Sequence, residues 1–136
     1  MFAKETQILV VDDSFNIRRI INDSLRSLGF SRVVTAEDAN EGYSKLSQLS
    51  STPAPVDVII SDLNMPGPSG LDFLKQVRAT ESFKNMPFIL ITTESEKGVV
   101  IEAAVAGVSA YIVKPFNVET LGKRLLEAYK KHNPGK

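Results

Sequence analysis

Five short apolar runs alternate with five longer amphipathic stretches along this chain. The apolar runs occupy residues 7–11, 33–35, 56–60, 87–91 and 110–113, and the amphipathic stretches occupy about 14–28, 39–49, 69–79, 95–106 and 117–131. Strands that alternate with helices of this length pair in parallel. The runs V-D-V-I-I and F-I-L-I lack regular alternation with polar residues, which is typical of strands covered on both faces. We therefore predict an α/β fold, a (βα)₅ doubly wound five-stranded parallel sheet.

The helical stretches predict which side chains are buried and where two of the helices begin or end. In the first stretch, the apolar residues that share one helical face are Ile17, Ile20, Ile21, Leu25 and Leu28. Gly29 should end this helix, because glycine readily adopts the left-handed conformation that follows a helix. Asn117 should cap the start of the last helix.

Composition excludes several classes of function. The 136 residues suit one domain, which we expect to span 1–136 with a core at about 5–131. With 16 basic and 16 acidic residues, the chain has no net charge to attract nucleic acid or an anionic membrane. The absence of cysteine excludes disulfides and thiolate metal sites. Glu5 lies where a signal peptide needs an apolar core, and no apolar run approaches the roughly 20 residues of a membrane span, so we expect a cytoplasmic protein.

Polar side chains stand at the ends of four of the five apolar runs. Those residues are Asp12 and Asp13 after the first run, Asp62 after the third, Thr92 after the fourth and Lys114 after the fifth. Each has a simpler explanation when taken alone, such as a helix cap for an aspartate or a turn at Asp62. However, the carboxyl ends of parallel strands meet at one edge of the sheet, where ligands bind in such folds. The simpler explanations give no reason for all these residues to converge there.

The motifs that contain these residues are V-V-D-D-S, I-I-S-D-L-N-M-P, I-T-T-E and I-V-K-P-F, in that order. With this set, the chain resembles the receiver domains of two-component response regulators over about residues 5–131. It is most similar to the stand-alone, CheY-like chemotaxis regulators of that family. The resemblance implies a flavodoxin-like sheet with strand order 2-1-3-4-5.

The resemblance also implies a role for each acidic residue. Asp62 would be the phosphoacceptor, whose carboxylate forms an acyl phosphate. Mg²⁺ would be bound by Asp13, by Asp62 and by the backbone carbonyl of Asn64, with Asp12 acting mainly through water. A divalent cation would explain the adjacent aspartates, because two carboxylates ~4 Å apart repel by about 4 kcal/mol at an effective dielectric constant near 20.

Three further residues would respond to the phosphoryl group. Lys114 would contact its oxygens, Thr92 would donate its hydroxyl to it, and the Lys114–Pro115 peptide bond is expected to be cis. Tyr111 would turn inward in the active form, although a half-buried strand tyrosine is an equally good interpretation.

The resemblance implies a short-lived phosphate. Asn64 and Glu94 would orient the water that hydrolyses the acyl phosphate, so the protein would dephosphorylate itself. His132 is the only histidine of the chain and lies in a charged tail, where we expect it to be solvated. We therefore predict no phosphohistidine relay within the chain itself.

The partners implied are a CheA-like histidine kinase as phosphodonor, a flagellar switch protein or another target protein, and a phosphatase. The chain ends soon after the last helix, so we expect output through a change in binding, by a monomer. The implied output surface consists of Ser95, Lys97, Val100, Tyr111, Val113 and Arg124. The consecutive apolar residues 99–101 cannot all be buried on one helical face, so one of them should be exposed. Scattered apolar surface residues are the alternative interpretation.

Other functions remain open at this point. The chain could be a phosphorelay intermediate that passes its phosphoryl group to a histidine phosphotransferase. A Mg²⁺-dependent phosphohydrolase also uses an aspartyl phosphate, but V-D-D-S-F does not fit the D-x-D-x-T/V motif of such enzymes, and the chain has no length for a substrate cap. A flavin-binding protein is disfavoured, because no Ser/Thr-rich phosphate loop follows the first strand.

Overall fold

The computed structural model describes residues 1–93 and 97–134, in which five strands alternate with five helices. The strands are β1 (Gln7–Val11), β2 (Arg32–Ala36), β3 (Val58–Asp62), β4 (Phe88–Thr93) and β5 (Ala110–Lys114). The helices are α1 (Phe15–Ser27), α2 (Ala39–Ser50), α3 (Gly70–Ala79), α4 (Lys97–Val105) and α5 (Val118–His132). The predicted elements are all present, with ends shifted by one or two residues; the predicted start of the fourth helix lies outside the described residues.

All five strands are parallel, in the order β2-β1-β3-β4-β5. This confirms the predicted fold class and strand order. The strands β1 and β3 are neighbours at the centre of the sheet, with Val11 opposite Ser61. The residues that directly follow these two positions are Asp12 and Asp62, so the carboxyl ends of both strands bring acidic side chains to the same place.

The two faces of the sheet support two separate apolar cores. Along β1, Ile8 and Val10 contribute to one core and Leu9 and Val11 to the other, as the alternation of a strand requires. Helices α1 and α5 cover the first face, while α2, α3 and α4 cover the second. The prediction that helices cover both faces of the sheet is therefore confirmed. Each fully buried aliphatic side chain in these cores contributes roughly 1.5–3 kcal/mol to the stability of the fold.

Polar residues just before the helices fix where four of them begin. Ser14, Asp38, Ser69 and Asn117 each accept a hydrogen bond from the backbone N–H three residues later. The predicted cap of the last helix is thus confirmed. Gly29 follows α1 with a φ of +97°, which confirms that the glycine ends this helix. Within the described residues, no helix combines the length and apolar character needed to cross a membrane.

One residue of the predicted buried face of α1 is exposed. Ile20 is 50% exposed, whereas Ile21 and Leu25 are completely buried. At 100° per residue, Ile20 lies about 80° from the centre of the buried arc, so it faces solvent beside the core. The prediction for Ile20 was therefore wrong.

The last turn of α5 packs against the sheet instead of extending into solvent. His132 is half-buried, and its Nε2 lies 2.7 Å from Oγ of Ser109, the residue before β5. The same Oγ accepts a hydrogen bond from Phe88 N at 3.0 Å. The expectation of a solvated His132 is therefore wrong, because α5 continues to this residue and fastens its end to the amino-terminal edge of the sheet.

Burial lowers the pKa of His132, and the positive charges of Arg78 and Lys131 lower it further. A hydrogen bond with the backbone of Asn85 acts in the opposite direction but does not outweigh burial. As the pH falls, the unfolded chain therefore binds a proton at His132 before the folded protein does. This histidine consequently contributes stability at higher pH that is lost as the pH falls below the ordinary histidine value.

We predict that His132→Gln reduces the dependence of stability on pH. Between about pH 7.5 and about pH 5.5, the wild type should lose stability that the variant keeps, because glutamine hydrogen-bonds but does not titrate. Urea denaturation at both pH values measures the free energy of unfolding. The other titrating groups are common to both proteins, so they cancel in the comparison. Parallel losses of stability in the two proteins would contradict the prediction.

Candidate functional site

Three carboxylates meet at the carboxyl ends of β1 and β3. Asp12 and Asp13 directly follow β1, and Asp62 is the last residue of β3. Each offers one carboxylate oxygen to a group in which these atoms lie within 4.8 Å of one another. We call these three residues the acidic cluster. Asp12 and Asp62 are buried and Asp13 is exposed, so the cluster is accessible from the Asp13 side.

The two carboxylate oxygens of Asp12 differ in their hydrogen bonding. Oδ1 accepts a hydrogen bond from Ser14 N at 2.8 Å, so Asp12 also supports the turn that leads into α1. Oδ2 is buried and has no hydrogen-bond partner among the described residues. A buried carboxylate oxygen without a donor is unfavourable, and a hard cation that prefers oxygen ligands would relieve it. The residues present therefore fit a Mg²⁺ site.

Lys114, at the end of β5, supplies positive charge to the cluster. Its Nζ lies 3.0 Å from Asp62 Oδ1 and 3.7 Å from Asp12 Oδ2. Burial raises the pKa of both Asp12 and Asp62, and repulsion within the cluster adds to this, while Lys114 opposes the rise without cancelling it. Ionisation of Asp12 and Asp62 in the metal-free cluster therefore carries an electrostatic cost. The peptide bond from Lys114 to Pro115 is cis, the isomer that the family resemblance implies.

Thr92 offers a hydroxyl group near the same edge of the sheet. It lies in β4 opposite Val113, so it is one position from the pair formed by Thr93 and Lys114. Its Oγ1 is buried and has no hydrogen-bond partner in the part of the chain that the structure describes. Leaving a buried polar group unpaired costs about 1–3 kcal/mol. A ligand that brings an acceptor to this hydroxyl would recover that energy.

Gly70 is a contributor that sequence reasoning missed. A Cβ at this position would lie 2.1 Å from the carbonyl oxygen of Asp62, so any other residue would displace backbone. Gly70 N also donates a hydrogen bond to Leu63 O at 2.8 Å. The first residue of α3 is thus packed directly against the residue that carries the buried carboxylate. The sequence indicates this contact only through the position of Gly70, which directly follows the potential helix cap Ser69.

The remaining predicted site residues occupy varied environments. Asn64 is exposed in the loop after β3. On the implied output surface, Tyr111 is exposed, and Val100, Val113 and Arg124 are half-buried. Glu94, Ser95 and the side chain of Lys97 lie outside the described residues. Ile101 is 70% exposed, which confirms that one of the three consecutive apolar residues of α4 faces solvent.

Comparison with known proteins gives consistent matches. The family model for the response regulator receiver domain matches residues 8–126. Chemotaxis protein CheY1 of Helicobacter pylori is 47% identical over 119 residues, which cover 88% of this chain and 93% of that protein. Chemotaxis protein CheY-3 of Vibrio cholerae is 43% identical over 122 residues, which cover 90% of each chain.

Solved structures show the same similarity in three dimensions. The chemotaxis response regulator CheY4 of Vibrio cholerae has a TM-score of 0.78 and 39% identity, covering 90% of this chain and 98% of that one. A response regulator receiver domain protein from Clostridium thermocellum has a TM-score of 0.83 and 27% identity, covering 94% of this chain and 97% of that one. The similarity therefore extends over nearly the whole sheet and its helices.

We predict that Asp62→Asn stabilises the metal-free protein by roughly 1 kcal/mol. The substitution removes one of three clustered charges, whose repulsion reaches about 4 kcal/mol for a pair ~4 Å apart, but it also removes the ion pair with Lys114. Urea denaturation in the presence of a chelator measures the difference. Asp23→Asn makes the same charge change at an exposed position of α1 and should alter stability less. A less stable Asp62→Asn variant would show that the lost ion pair outweighs the relieved repulsion.

Proposed function

Because this chain belongs to the response regulator receiver domain family, we propose that its Asp62 accepts a phosphoryl group from the phosphohistidine of a sensor kinase. The observation that carries this proposal is the acidic cluster, in which a buried carboxylate is joined to Lys114 at 3.0 Å. Similarity to chemotaxis proteins supports a two-component switch that acts in chemotaxis.

In the proposed transfer, one carboxylate oxygen of Asp62 attacks the phosphorus atom while the bond from phosphorus to the kinase histidine breaks. The electron pair of that bond returns to the imidazole, which takes up a proton, and Asp62 becomes an acyl phosphate. Lys114 stabilises the ionised carboxylate before transfer. Afterwards its ammonium group, which lies 3.0 Å from Asp62 Oδ1 in this structure, would contact the phosphoryl oxygens as a compact positive charge.

Asp12, Asp13 and Asp62 would hold Mg²⁺, with the backbone carbonyl of Asn64 as a further protein ligand. When bound, the cation neutralises both the carboxylates and the negative charge of the phosphoryl oxygens. The buried Oδ2 of Asp12 supports this assignment, because among the described residues it accepts no hydrogen bond, and Lys114 Nζ lies 3.7 Å from it.

Thr92 and Lys114 would convert phosphorylation into a change of shape. Charge-assisted hydrogen bonds contribute roughly 1.5–3 kcal/mol each. Two of them approach the ~5.5 kcal/mol that moves a two-state equilibrium from about 1:99 to 99:1. Thr92 is the next-to-last residue of β4, and α4 begins five residues later, so a movement of Thr92 toward the phosphate would be passed along the chain to α4.

Hydrolysis of the acyl phosphate would return the protein to its resting state. The water that attacks phosphorus must lie in line with the bond to the Asp62 oxygen. Asn64 lies two residues beyond Asp62 in an exposed loop, where water has access. Together with Glu94, it would orient that water.

Output would occur at the surface formed by α4, β5 and α5, with a flagellar switch protein as the proposed target. This location is supported by Tyr111, whose side chain is 40% exposed on β5. Exposed aromatic side chains are enriched at surfaces that bind other proteins.

A phosphorelay intermediate is the second candidate function. It is favoured by α1, whose exposed side includes the apolar residues Phe15 and Ile20. Phe15 is the second residue after Asp13, so a partner that docks on α1 would reach the acidic cluster. A histidine phosphotransferase could then place its histidine next to Asp62.

We predict that acetyl phosphate and Mg²⁺ add one phosphoryl group to the wild type. Intact-mass spectrometry measures the product. Asp62→Asn and chelation of the metal should each abolish it. Asp57→Asn is the matched control, because Asp57 precedes β3 at the opposite edge of the sheet, and this variant should be phosphorylated normally. Full phosphorylation of Asp62→Asn would refute the assignment of the acceptor.

We also predict that Tyr111→Ala and Val100→Asp each weaken binding of the phosphorylated protein to the flagellar switch protein by roughly tenfold, the range expected for interface anchors. Phosphorylation at Asp62 should be unchanged in both variants, since neither residue is in the acidic cluster. Phe15→Ala on α1 is the control. Loss of binding in Phe15→Ala alone would contradict the prediction and place the binding surface for the switch protein on α1.

A further inference from the structure

Arg18 contacts residues from three parts of the chain, one of which is Asp12 of the acidic cluster. It belongs to α1, and its side chain is only 13% exposed. Its Nη1 donates a hydrogen bond to the backbone carbonyl of Asp12 at 2.6 Å. Its Nη2 lies 3.8 Å from Oε1 of Glu37, which follows β2, and its guanidinium group lies 5.8 Å from the ring centre of Phe15.

The Asp12 carbonyl belongs to the peptide group that joins Asp12 to Asp13. This group is planar, so a donor that fixes its oxygen also fixes the orientation in which the chain leaves Asp12 and enters Asp13. Two other bonds hold Asp12 itself, one from its N–H to Ala36 O at 3.1 Å and one from Ser14 N to its Oδ1. The contact from Arg18 is the one that acts on the link between the two carboxylate-bearing residues.

We propose that Arg18 is a positioning residue for the Mg²⁺ site, an inference that rests on the proposed function above. Arg18 would not itself contact the cation. It holds the Asp12–Asp13 peptide group so that both carboxylates point toward the position shared with Asp62. Arginine suits this task, because its planar fork can donate to a carbonyl and a carboxylate at the same time.

The direction in which Mg²⁺ affinity changes when Arg18 is replaced distinguishes positioning from simple electrostatics. A guanidinium near the acidic cluster repels a cation, so if Arg18 acted through its charge alone, its neutralisation would strengthen Mg²⁺ binding. If Arg18 acts by positioning, its loss weakens Mg²⁺ binding. The loss should be greater for Mg²⁺ than for Ca²⁺, because Mg²⁺ requires near-ideal octahedral geometry whereas Ca²⁺ accepts irregular coordination.

The test is a titration of the metal-free protein with MgCl₂ and, separately, with CaCl₂ at constant ionic strength, followed by backbone amide chemical shifts. Arg18→Gln should weaken Mg²⁺ binding roughly tenfold or more, the range for loss of a group that orients metal ligands. Its preference for Mg²⁺ over Ca²⁺ should also fall. Arg19→Gln removes the same charge from the neighbouring exposed arginine and should leave both dissociation constants nearly unchanged.

A conservative variant keeps the test decisive. Arg18→Lys retains the charge and one donor, so it should bind Mg²⁺ more tightly than Arg18→Gln but with a lower preference for Mg²⁺ than the wild type. The amide spectra show whether each variant is folded. If Arg18→Gln does not fold, the metal affinities of Arg18→Lys provide the test. Wild-type affinity and preference in the folded Arg18 variants would overturn the inference. Failure of the wild type to bind Mg²⁺ would instead overturn the metal site itself.

Discussion

Repulsion among Asp12, Asp13 and Asp62 is the constraint on which the rest of the site depends. The fold places these carboxylates within 4.8 Å of one another and buries two of them, an arrangement that the two apolar cores must hold in place. Lys114 relieves part of the repulsion, and burial still raises the pKa of Asp12 and Asp62. Stability and ligand binding are therefore linked, because a cation that binds the cluster removes a penalty that the metal-free fold has to bear.

The strands and the residues at their carboxyl ends could be predicted because both depend on local sequence. Apolar runs give the strands, and parallel pairing then brings Asp12, Asp62 and Lys114 to one edge whatever the details of packing. The contacts that were missed depend on distances between elements. Arg18 reaches Asp12 because α1 has one particular rotation against β1, and Glu37 is near it because β2 is the neighbouring strand.

The errors at Ile20 and His132 have related physical causes. Helical periodicity gives the direction of the buried face but not its width, which the neighbouring elements determine. Ile20 lies where that face ends. His132 was assigned to solvent from the charged residues around it, yet Ser109 provides a partner that is 23 residues away in the sequence. Periodicity and local charge do not report such pairings.

The close contact between Gly70 and the Asp62 carbonyl has a consequence for how this protein would appear in a mutational survey. A side chain at residue 70 would collide with the Asp62 backbone and displace the carboxylate that we propose as the phosphoacceptor, although Gly70 itself would take no chemical part in the proposed transfer. If that proposal holds, substitutions of Gly70 would impair signalling, and the position would rank beside Asp62 in apparent importance. Steric intolerance and catalytic necessity would thus give the same phenotype at two residues that touch each other, and activity data alone would not distinguish them.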